Sequence, residues 1–335
     1  MTDRARRPTL LMVFTGGTIS CTLDPQRGMP VPTLSGQEIL ARVPQVAEFA
    51  DIVIEDFGRY PGPHMNPERV LTLALRVADT TAGGGIDGVV VTHGTDSIEE
   101  TAFLLDRLLP PAVPTVLVGA MKLASDPCWD GAANLLSACQ VAANREAAGR
   151  GTMVVMADAI HAATQVVKVH AESLDSFASP QTGPIGLVDR GQVIFFAAPE
   201  PSLWPRNMVD RIDCRVDLIR AVPGADGCHV RASLDAGAKG LVIEGLGRGN
   251  LPPELASGVV EAAAKVPVVI ATRCPRGRAL PMYGYEGGAA TLRDAGVIFA
   301  DLLPGNKARL LLMVLLAQEA DMAALRRQFE GNRYD

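Results

Sequence analysis

Two polar segments of the sequence place hydroxyl groups directly after apolar runs that are typical of buried strands. In the first, Thr15-Gly16-Gly17-Thr18 follows the run LLMVF. The two glycines allow a sharp turn and bring backbone N–H groups close to a substrate. A hydroxyl after such a turn can act as a nucleophile, and the N–H groups can stabilise an oxyanion. Taken alone, however, the motif is explained as well or better by an ordinary glycine turn.

The second segment, THGTDS at 92–97, follows another apolar run and leads into a predicted helix. Its polar side chains are expected at the carboxyl edge of the sheet, close to the positive end of that helix. Ser97 and Glu100 have the spacing of a capping box, so Ser97 is predicted to cap the helix. Thr95 and Asp96 are then left for chemistry, as a second hydroxyl and as a carboxylate for an ammonium group.

Lys168 is a further candidate because it lies in the mostly apolar stretch IHAATQVVKVH. A partly buried lysine loses its proton more readily than one in water, and a neutral amine can take a proton from a hydroxyl. A surface lysine whose stem packs along apolar neighbours is the alternative. The five histidines, among them His93, His161 and His170, lack metal-ligand spacing and are expected to have structural roles.

Composition and charge exclude several classes of partner. The chain has 335 residues and a net charge of -6, which gives no electrostatic footprint for nucleic acid or anionic lipid. No uncharged stretch reaches the length of a membrane span, and the basic start followed by LLMVF is interpreted as a first strand rather than a signal peptide. The six cysteines contain no C-x-x-C pair and are expected to be free thiols. We therefore expect a soluble, cytoplasmic protein without nucleic-acid or membrane partners.

The pattern of elements predicts an α/β fold with a doubly wound sheet. Apolar runs at LLMVF, GVVVTHG, TVLVGAM, TMVVMAD, GLVIEG and PVVIAT suit parallel strands that are covered on both faces. Helix starts are indicated by the capping box of Ser35 and Glu38, and by Asn66 followed by Pro67. Proline-rich breaks near 200–225 predict an N-terminal catalytic domain at 1–205, a linker at 206–225 and a C-terminal domain at 226–335. Ligands are expected beyond the carboxyl ends of the strands.

A glycine-rich loop offers a competing interpretation. GLGRGN, at 245–250, follows a predicted strand and precedes a predicted helix, as a dinucleotide-binding fingerprint would. Its spacing is G-x-G-x-G, and Asn250 stands in the place of the third glycine. A non-catalytic nucleotide-binding or sensory protein is therefore kept as an alternative.

The two hydroxyl-bearing segments together resemble a known family. TGGTIS and THGTDSIEETA are similar to both signature motifs of the bacterial L-asparaginase and glutaminase family, and each follows a strand. The likeness continues through VGAM, the DAIHAATQVVKVH region and GRGNL to GNKARLLL, so it covers nearly the whole chain. It implies a larger N-terminal and a smaller C-terminal α/β domain, no metal or organic cofactor, and a homotetramer or homodimer with sites shared between neighbouring subunits.

The resemblance assigns roles to individual residues. Thr18 matches the nucleophilic threonine of the family. Thr95, Asp96 and Lys168 match its second threonine, the aspartate that holds the substrate amine, and the lysine beside them. The implied activity is amide hydrolysis, in which Thr18 attacks the side-chain amide carbon and an acyl-enzyme is hydrolysed by water. L-Asparagine is the leading substrate, and L-glutamine is a second.

The remaining matches come from the C-terminal domain and from one loop that departs from the family. Asn250 matches an asparagine that a neighbouring subunit contributes, and Glu286 in YGYEGG matches a glutamate of the amine pocket. The family usually has a tyrosine on the loop after the nucleophile, where this chain has GMPVP at 28–32. It also has a serine and a polar residue that hold the α-carboxylate, where this chain has Pro63 and His64. Proline offers neither hydroxyl nor N–H.

His64 is thus the predicted substitute for that lost contact. A protonated imidazole is both a donor and a cation, so it could hold the carboxylate, with an affinity for L-asparagine that weakens as pH rises through neutrality. The alternative substrate is a related small amide or lactam that lacks the usual carboxylate.

Overall fold

The computed structural model of this chain describes residues 6–26, 28–198, 204, 206–212 and 214–331. The chain divides into two units, Met1–Pro201 and Ser202–Asp335. Within the described residues, the first unit holds a sheet of eight strands, and the second holds a sheet of four. Helices accompany both sheets, so the predicted α/β fold with a larger N-terminal and a smaller C-terminal domain is confirmed.

The strands of the first unit include the apolar runs that the sequence indicates, together with several short pairs. They are β1 (Thr9–Gly16), β2 (Cys21–Leu23), β3 (Pro30–Pro32), β4 (Asp51–Tyr60), β5 (Gly88–Thr92), β6 (Thr115–Val118), β7 (Thr152–Met156), β8 (Ala159–Ala162), β9 (Val167–Lys168), β10 (Phe177–Ala178), β11 (Gly186–Asp189) and β12 (Gln192–Phe195). β2 pairs with β3, and β9 pairs with β10, each in antiparallel fashion.

The main sheet has the order β12-β11-β8-β7-β6-β5-β1-β4. The strands from β7 to β4 are parallel, whereas β8, β11 and β12 extend the edge in antiparallel fashion. β4 and β5 lie on opposite sides of β1, so the direction of winding reverses at β1. In doubly wound sheets, this reversal opens a crevice at the carboxyl ends of the strands, where ligands bind.

Helices cover the sheet and begin at recognisable caps. They are α1 (Gly36–Leu40), α2 (Val46–Phe49), α3 (Pro67–Ala82), α4 (Ile98–Leu108) and α5 (Gly131–Ala143). The capping box predicted for α1 is present, since the side chain of Ser35 accepts from the N–H of Glu38 and the Glu38 carboxylate accepts from the N–H of Ser35. At α3, Asn66 caps the helix by accepting from the N–H of Arg69 at 3.0 Å.

The core of the first unit explains why its central strands are continuously apolar. Every residue of β5 and β6 is buried. One core cluster packs Leu135 and Cys139 of α5 against Met12, Val90 and Val116 of the sheet. Strands buried on both faces need apolar side chains in both directions, so they show no alternation.

The second unit is a parallel sheet in the order β13-β14-β15-β16. Its strands are β13 (Val216–Arg220), β14 (Gly240–Gly245), β15 (Val268–Thr272) and β16 (Ile298–Phe299), and its helices are α6 (Cys228–Asp235), α7 (Pro253–Ala263), α8 (Ala289–Asp294), α9 (Gly305–Ala317) and α10 (Met322–Glu330). The predicted linker at 206–225 therefore contains a strand. β13 is an edge strand with exposed alternate positions, so it lacks the continuous apolar run that marks the other strands.

None of the helices in the described part of the chain combines the length and apolar character needed to cross a membrane.

Candidate active site

Three loops, which follow β1, β4 and β5, meet at the carboxyl edge of the main sheet. Their backbones approach so closely that only glycine fits at the points of contact. A Cβ atom added to Gly17 would lie 2.3 Å from the backbone nitrogen of Gly94. One added to Gly94 would lie 2.6 Å from the backbone nitrogen of Gly62. The two polar segments that the sequence singles out and the loop that carries Pro63 and His64 are thus brought together where the winding of the sheet reverses.

Thr18 lies at the start of a short 3-10 helix, Thr18–Ser20, directly after β1. Gly17 precedes it with φ 81°, in the left-handed region that favours glycine. The N–H of Gly17 donates to the carbonyl of Tyr60 at 3.0 Å, and the hydroxyl of Thr15 donates to the carbonyl of Thr92 at 2.7 Å. Both neighbouring strands therefore hold the turn, while the side chain of Thr18 itself is half-buried.

Thr95, Asp96 and Lys168 form a hydrogen-bonded cluster. The Nζ of Lys168 donates to the Oγ1 of Thr95 at 2.9 Å and to the Oδ1 of Asp96 at 2.9 Å. Thr95 is 5% exposed, whereas the side chains of Lys168 and Asp96 are 15% and 65% exposed. The cluster runs from a buried hydroxyl to an open carboxylate, so it can exchange a proton at one end and receive a cation at the other.

The backbone of Lys168 is held by two separate interactions. Lys168 pairs with Phe177 in the β9–β10 ladder. Its backbone N–H also donates to the carboxylate of Glu99 at 2.6 Å. Glu99 lies in the first turn of α4, the helix that follows Thr95 and Asp96. The start of α4 therefore positions Lys168 as well as Thr95 and Asp96.

Ser97 does not cap α4, so the predicted capping box at this helix is wrong. Its side chain makes no capping hydrogen bond to the helix. Instead, its hydroxyl donates to the carbonyl of Gly62 at 2.6 Å. Ser97 thereby ties the loop after β4 to the start of α4, a contact between distant parts of the chain.

His93 has a structural role, as predicted. Its Nδ1 donates to the carbonyl of Gly94 at 2.8 Å, and its Nε2 accepts from the hydroxyl of Thr101 at 2.9 Å. Burial lowers its pKa to about 4, although the hydrogen bond to Gly94 acts in the opposite direction. The imidazole is therefore neutral at physiological pH, and it braces the loop that carries Thr95.

The loop after β4 forms a 3-10 helix, Gly62–His64, in which Pro63 and His64 are exposed. The backbone carbonyl of His64 accepts from the guanidinium of Arg69. Within this loop it is Gly62 that lies beside the cluster, because a Cβ atom there would be 3.4 Å from the Cβ of Asp96. The same Cβ atom would lie 3.3 Å from the carbonyl oxygen of Gly94, so Gly62 is closely packed against the segment that carries Asp96.

Asn250 and Glu286 belong to the second unit, where their segments lie side by side. The Oδ1 of Asn250 accepts from the N–H of Ala289 at 3.1 Å, at the start of α8. The N–H of Leu251 donates to the carbonyl of Gly287 at 2.8 Å. Glu286 itself is exposed. Asn250 therefore joins two loops through its carbonyl oxygen.

The glycines of the loop at 245–250 are explained by a tight turn. The N–H of Leu246 donates to the carbonyl of Asn250 at 2.8 Å, and the N–H of Asn250 donates back at 2.9 Å. A Cβ atom on Gly245 would lie 2.7 Å from the backbone of Gly249. The loop closes on itself, so its glycines need no phosphate to account for them.

A cavity of about 340 Å³ adjoins the cluster in the first unit and is lined by Asp96, Lys168, Val169, His170 and Ala171. Its lining includes the exposed carboxylate of Asp96 and the ammonium group of Lys168. Among the described residues, no group of three or more histidine, cysteine, aspartate or glutamate side chains is arranged to hold a metal ion.

Comparison with known proteins decides the family. The asparaginase N-terminal family matches residues 9–201, and the glutaminase/asparaginase C-terminal domain family matches residues 215–329. The chain is 43% identical to a probable L-asparaginase of Deinococcus radiodurans, over 97% of this chain and 98% of the relative. It is 32% identical to an L-asparaginase of Bacillus licheniformis, over 91% and 94%. The crystal structure of a probable cytoplasmic L-asparaginase from Campylobacter jejuni superposes with a TM-score of 0.86, at 30% identity over 96% of this chain and 99% of that one. The chain belongs to the asparaginase family.

The structure of this asparaginase-family member places the predicted residues in two groups. Thr18, Thr95, Asp96 and Lys168 lie in the first unit, on segments that meet around the cluster, whereas Asn250 and Glu286 lie in the second. Sequence reasoning missed the contacts of three residues in the first unit. These are Gly62, which approaches Gly94, Glu99, which holds the backbone of Lys168, and His170, which lines the cavity. Only His170 carried a signal, since it lies two residues beyond Lys168 in a strand-like stretch.

Proposed function

We propose that this protein hydrolyses the side-chain amide of L-asparagine to L-aspartate and ammonia, with L-glutamine as a second candidate substrate. The observation that carries the proposal is the cluster in which Lys168 joins Thr95 to Asp96, on a segment packed against the turn of Thr18. Membership of the asparaginase family and the names of its relatives support the choice of substrate.

In the proposed reaction, Thr18 is the nucleophile. Its Oγ1 loses its proton as it bonds to the amide carbon, the C–N bond breaks, and the nitrogen takes up one proton in return and leaves as ammonia. Water then adds to the carbonyl of the acyl-enzyme, and the bond to Thr18 breaks as its hydroxyl regains a proton. The first N–H groups of the helix Thr18–Ser20 have no partner within that helix, so they are suited to stabilise the oxyanion.

Thr95, Lys168 and Asp96 transfer protons and bind the substrate ammonium group. Lys168 moves a proton to or from the Thr95 hydroxyl, to which it is already hydrogen-bonded. Asp96 holds the substrate ammonium group, for which its exposed carboxylate is open. His64 is the sequence-based candidate for the substrate carboxylate.

The proposed active form is a homotetramer or homodimer, in which Asn250 and Glu286 of a neighbouring subunit complete the amine pocket. The support is the family resemblance and the adjacency of the two loops that carry these residues. The proposed location is the cytoplasm. No disulfide joins the cysteines of the described residues, and the structurally similar protein from Campylobacter jejuni is described as a probable cytoplasmic L-asparaginase.

A second candidate function is hydrolysis of a small amide that lacks an α-carboxylate. It is favoured by Pro63, which stands where the family usually has a serine that holds the α-carboxylate and which offers neither a hydroxyl nor an N–H group. A lactam would be one substrate of this class.

Ammonia release from a panel of amides separates these functions. The panel contains L-asparagine, L-glutamine and β-alanine amide, which is asparagine without its α-carboxylate. Fastest release from L-asparagine is expected. Turnover of β-alanine amide alone would favour the second function. Release from none of the amides, together with nucleotide binding by calorimetry, would replace both with a binding protein.

A further inference from the structure

His170 lines the same cavity as Asp96 and Lys168. Lys168 and His170 are two residues apart on a stretch that begins as β9. The N–H of Val169 donates to the carbonyl of Ser176 at 2.8 Å, which extends the pairing of β9 with β10 beyond Lys168. Since side chains alternate along an extended chain, His170 is presented on the side of Lys168.

A tight turn fixes the imidazole of His170. Its Nδ1 accepts from the backbone N–H of Glu172 at 3.0 Å and from that of Ser173 at 2.9 Å. The hydroxyl of Ser176 donates to the carbonyl of Ser173 and closes the same turn. A neutral imidazole carries one ring proton, and Nδ1 is occupied as an acceptor, so the proton lies on Nε2. His170 is thus an oriented N–H donor in a cavity wall.

We propose that His170 is a specificity-determining residue, whose Nε2–H donates a hydrogen bond to the α-carboxylate of the amide substrate. The inference rests on the proposed function. A substrate ammonium group held by Asp96 has its carboxylate on the same carbon atom, so that carboxylate must lie a few ångströms from Asp96. A donor that lines the same cavity as Asp96 can satisfy it, and the Lys168 ammonium group offsets the charge of Asp96. His64 is exposed, as His170 is, but it does not line this cavity, and in its loop Gly62 is the residue next to Asp96.

Two substitutions separate substrate binding from support of the turn. In His170→Asn, the side-chain oxygen can replace Nδ1 as the acceptor of the turn, as in an Asx turn, but nothing replaces Nε2. In His170→Gln, the longer amide can reach the position of Nε2 but caps the turn poorly. His229→Ala is the matched control, since His229 is an exposed histidine of α6 in the other unit.

The measurement is kcat and KM for L-asparagine and for β-alanine amide in the parent and in these variants. Loss of a hydrogen bond to a charged group weakens binding about 10- to 100-fold. We expect His170→Asn to raise KM for L-asparagine by that factor and to leave KM for β-alanine amide unchanged. His170→Gln should restore part of the affinity for L-asparagine, and His229→Ala should match the parent with both substrates.

Equal increases of KM for both substrates in His170→Asn would overturn the proposal, because they would show a structural role alone. A selective increase in His64→Ala, without one in His170→Asn, would also overturn it and assign the carboxylate to His64. If the parent releases no ammonia, the proposed function fails first. In that case the role of His170 is tested by calorimetry with L-aspartate. Binding that is weakened at least about tenfold in His170→Asn supports the contact with the carboxylate, and unchanged binding refutes it.

Discussion

Lowering the pH from about 7.5 to about 5 should destabilise this protein by about 2 kcal/mol through His93 alone. The perturbation acts on a buried imidazole that is hydrogen-bonded at both nitrogens, to Gly94 and Thr101, in the loop that carries Thr95. Burial holds the pKa of His93 near 4 in the folded protein, against an ordinary value of 6.5.

The sign follows from which state binds the proton. Above pH 6.5, His93 is neutral in both the folded and the unfolded chain, and its contribution to stability is fully present. Between pH 6.5 and about 4, the unfolded chain binds a proton that the folded protein does not, so stability falls with pH. Over the complete pH window, the loss in free energy of unfolding is roughly 3 kcal/mol, of which about 2 kcal/mol is lost by pH 5.

The assay is denaturant unfolding of the parent and of His93→Gln at both pH values. Protein concentration is kept constant, because subunit assembly contributes to apparent stability. Other groups titrate in both proteins, so the difference between their pH-dependent losses isolates His93. Gln can still accept from the Thr101 hydroxyl but does not titrate. Identical losses in the two proteins would refute the argument that burial keeps His93 neutral.

Three further predictions concern the site. Gly17→Ala should lower the stability more than Gly84→Ala does. Both glycines have positive φ, but only at Gly17 would the added Cβ lie 2.3 Å from another backbone atom. Equal unfolding midpoints of the two variants in denaturant would contradict the close packing of the loops. Lys168→Met should lower kcat about 100-fold or more with a smaller change in KM, as loss of proton transfer to Thr95 requires, and an unchanged kcat would remove Lys168 from the chemistry. Thr18→Ala and Asn250→Ala variants, each inactive alone, should regain activity after mixing and subunit exchange if each site is shared between two subunits. A fully active monomer in light scattering would exclude shared sites.

Much of the first unit was predictable because its signals are local. Continuous apolar runs identify β1, β5, β6 and β7, since strands buried on both faces allow no polar positions. Ser35 and Asn66 cap their helices as predicted, because a cap depends on residues only a few positions apart. The winding reversal at β1 then places Thr18 and Thr95 at the same crevice.

The failures depend on contacts between distant residues. Ser97 has the spacing of a cap, yet its hydroxyl bonds to Gly62, 35 positions away. The short antiparallel strands β8, β11 and β12 form by pairing at the edge of the sheet. They contain no long apolar run that would identify them from the sequence. His170 was expected to be structural, and its Nδ1 does hold a turn, but its place in the cavity wall follows from the β9–β10 pairing.

The central claim is that Thr18 is the nucleophile, and the rate of ammonia release from L-asparagine by Thr18→Ala tests it most directly. The side chain is half-buried at the start of a helix of three residues, so the fold should survive the change, as an unaltered unfolding transition would show. The predicted result is a loss of activity of several orders of magnitude relative to the parent. A folded variant that keeps more than about a tenth of the parental rate would contradict the claim.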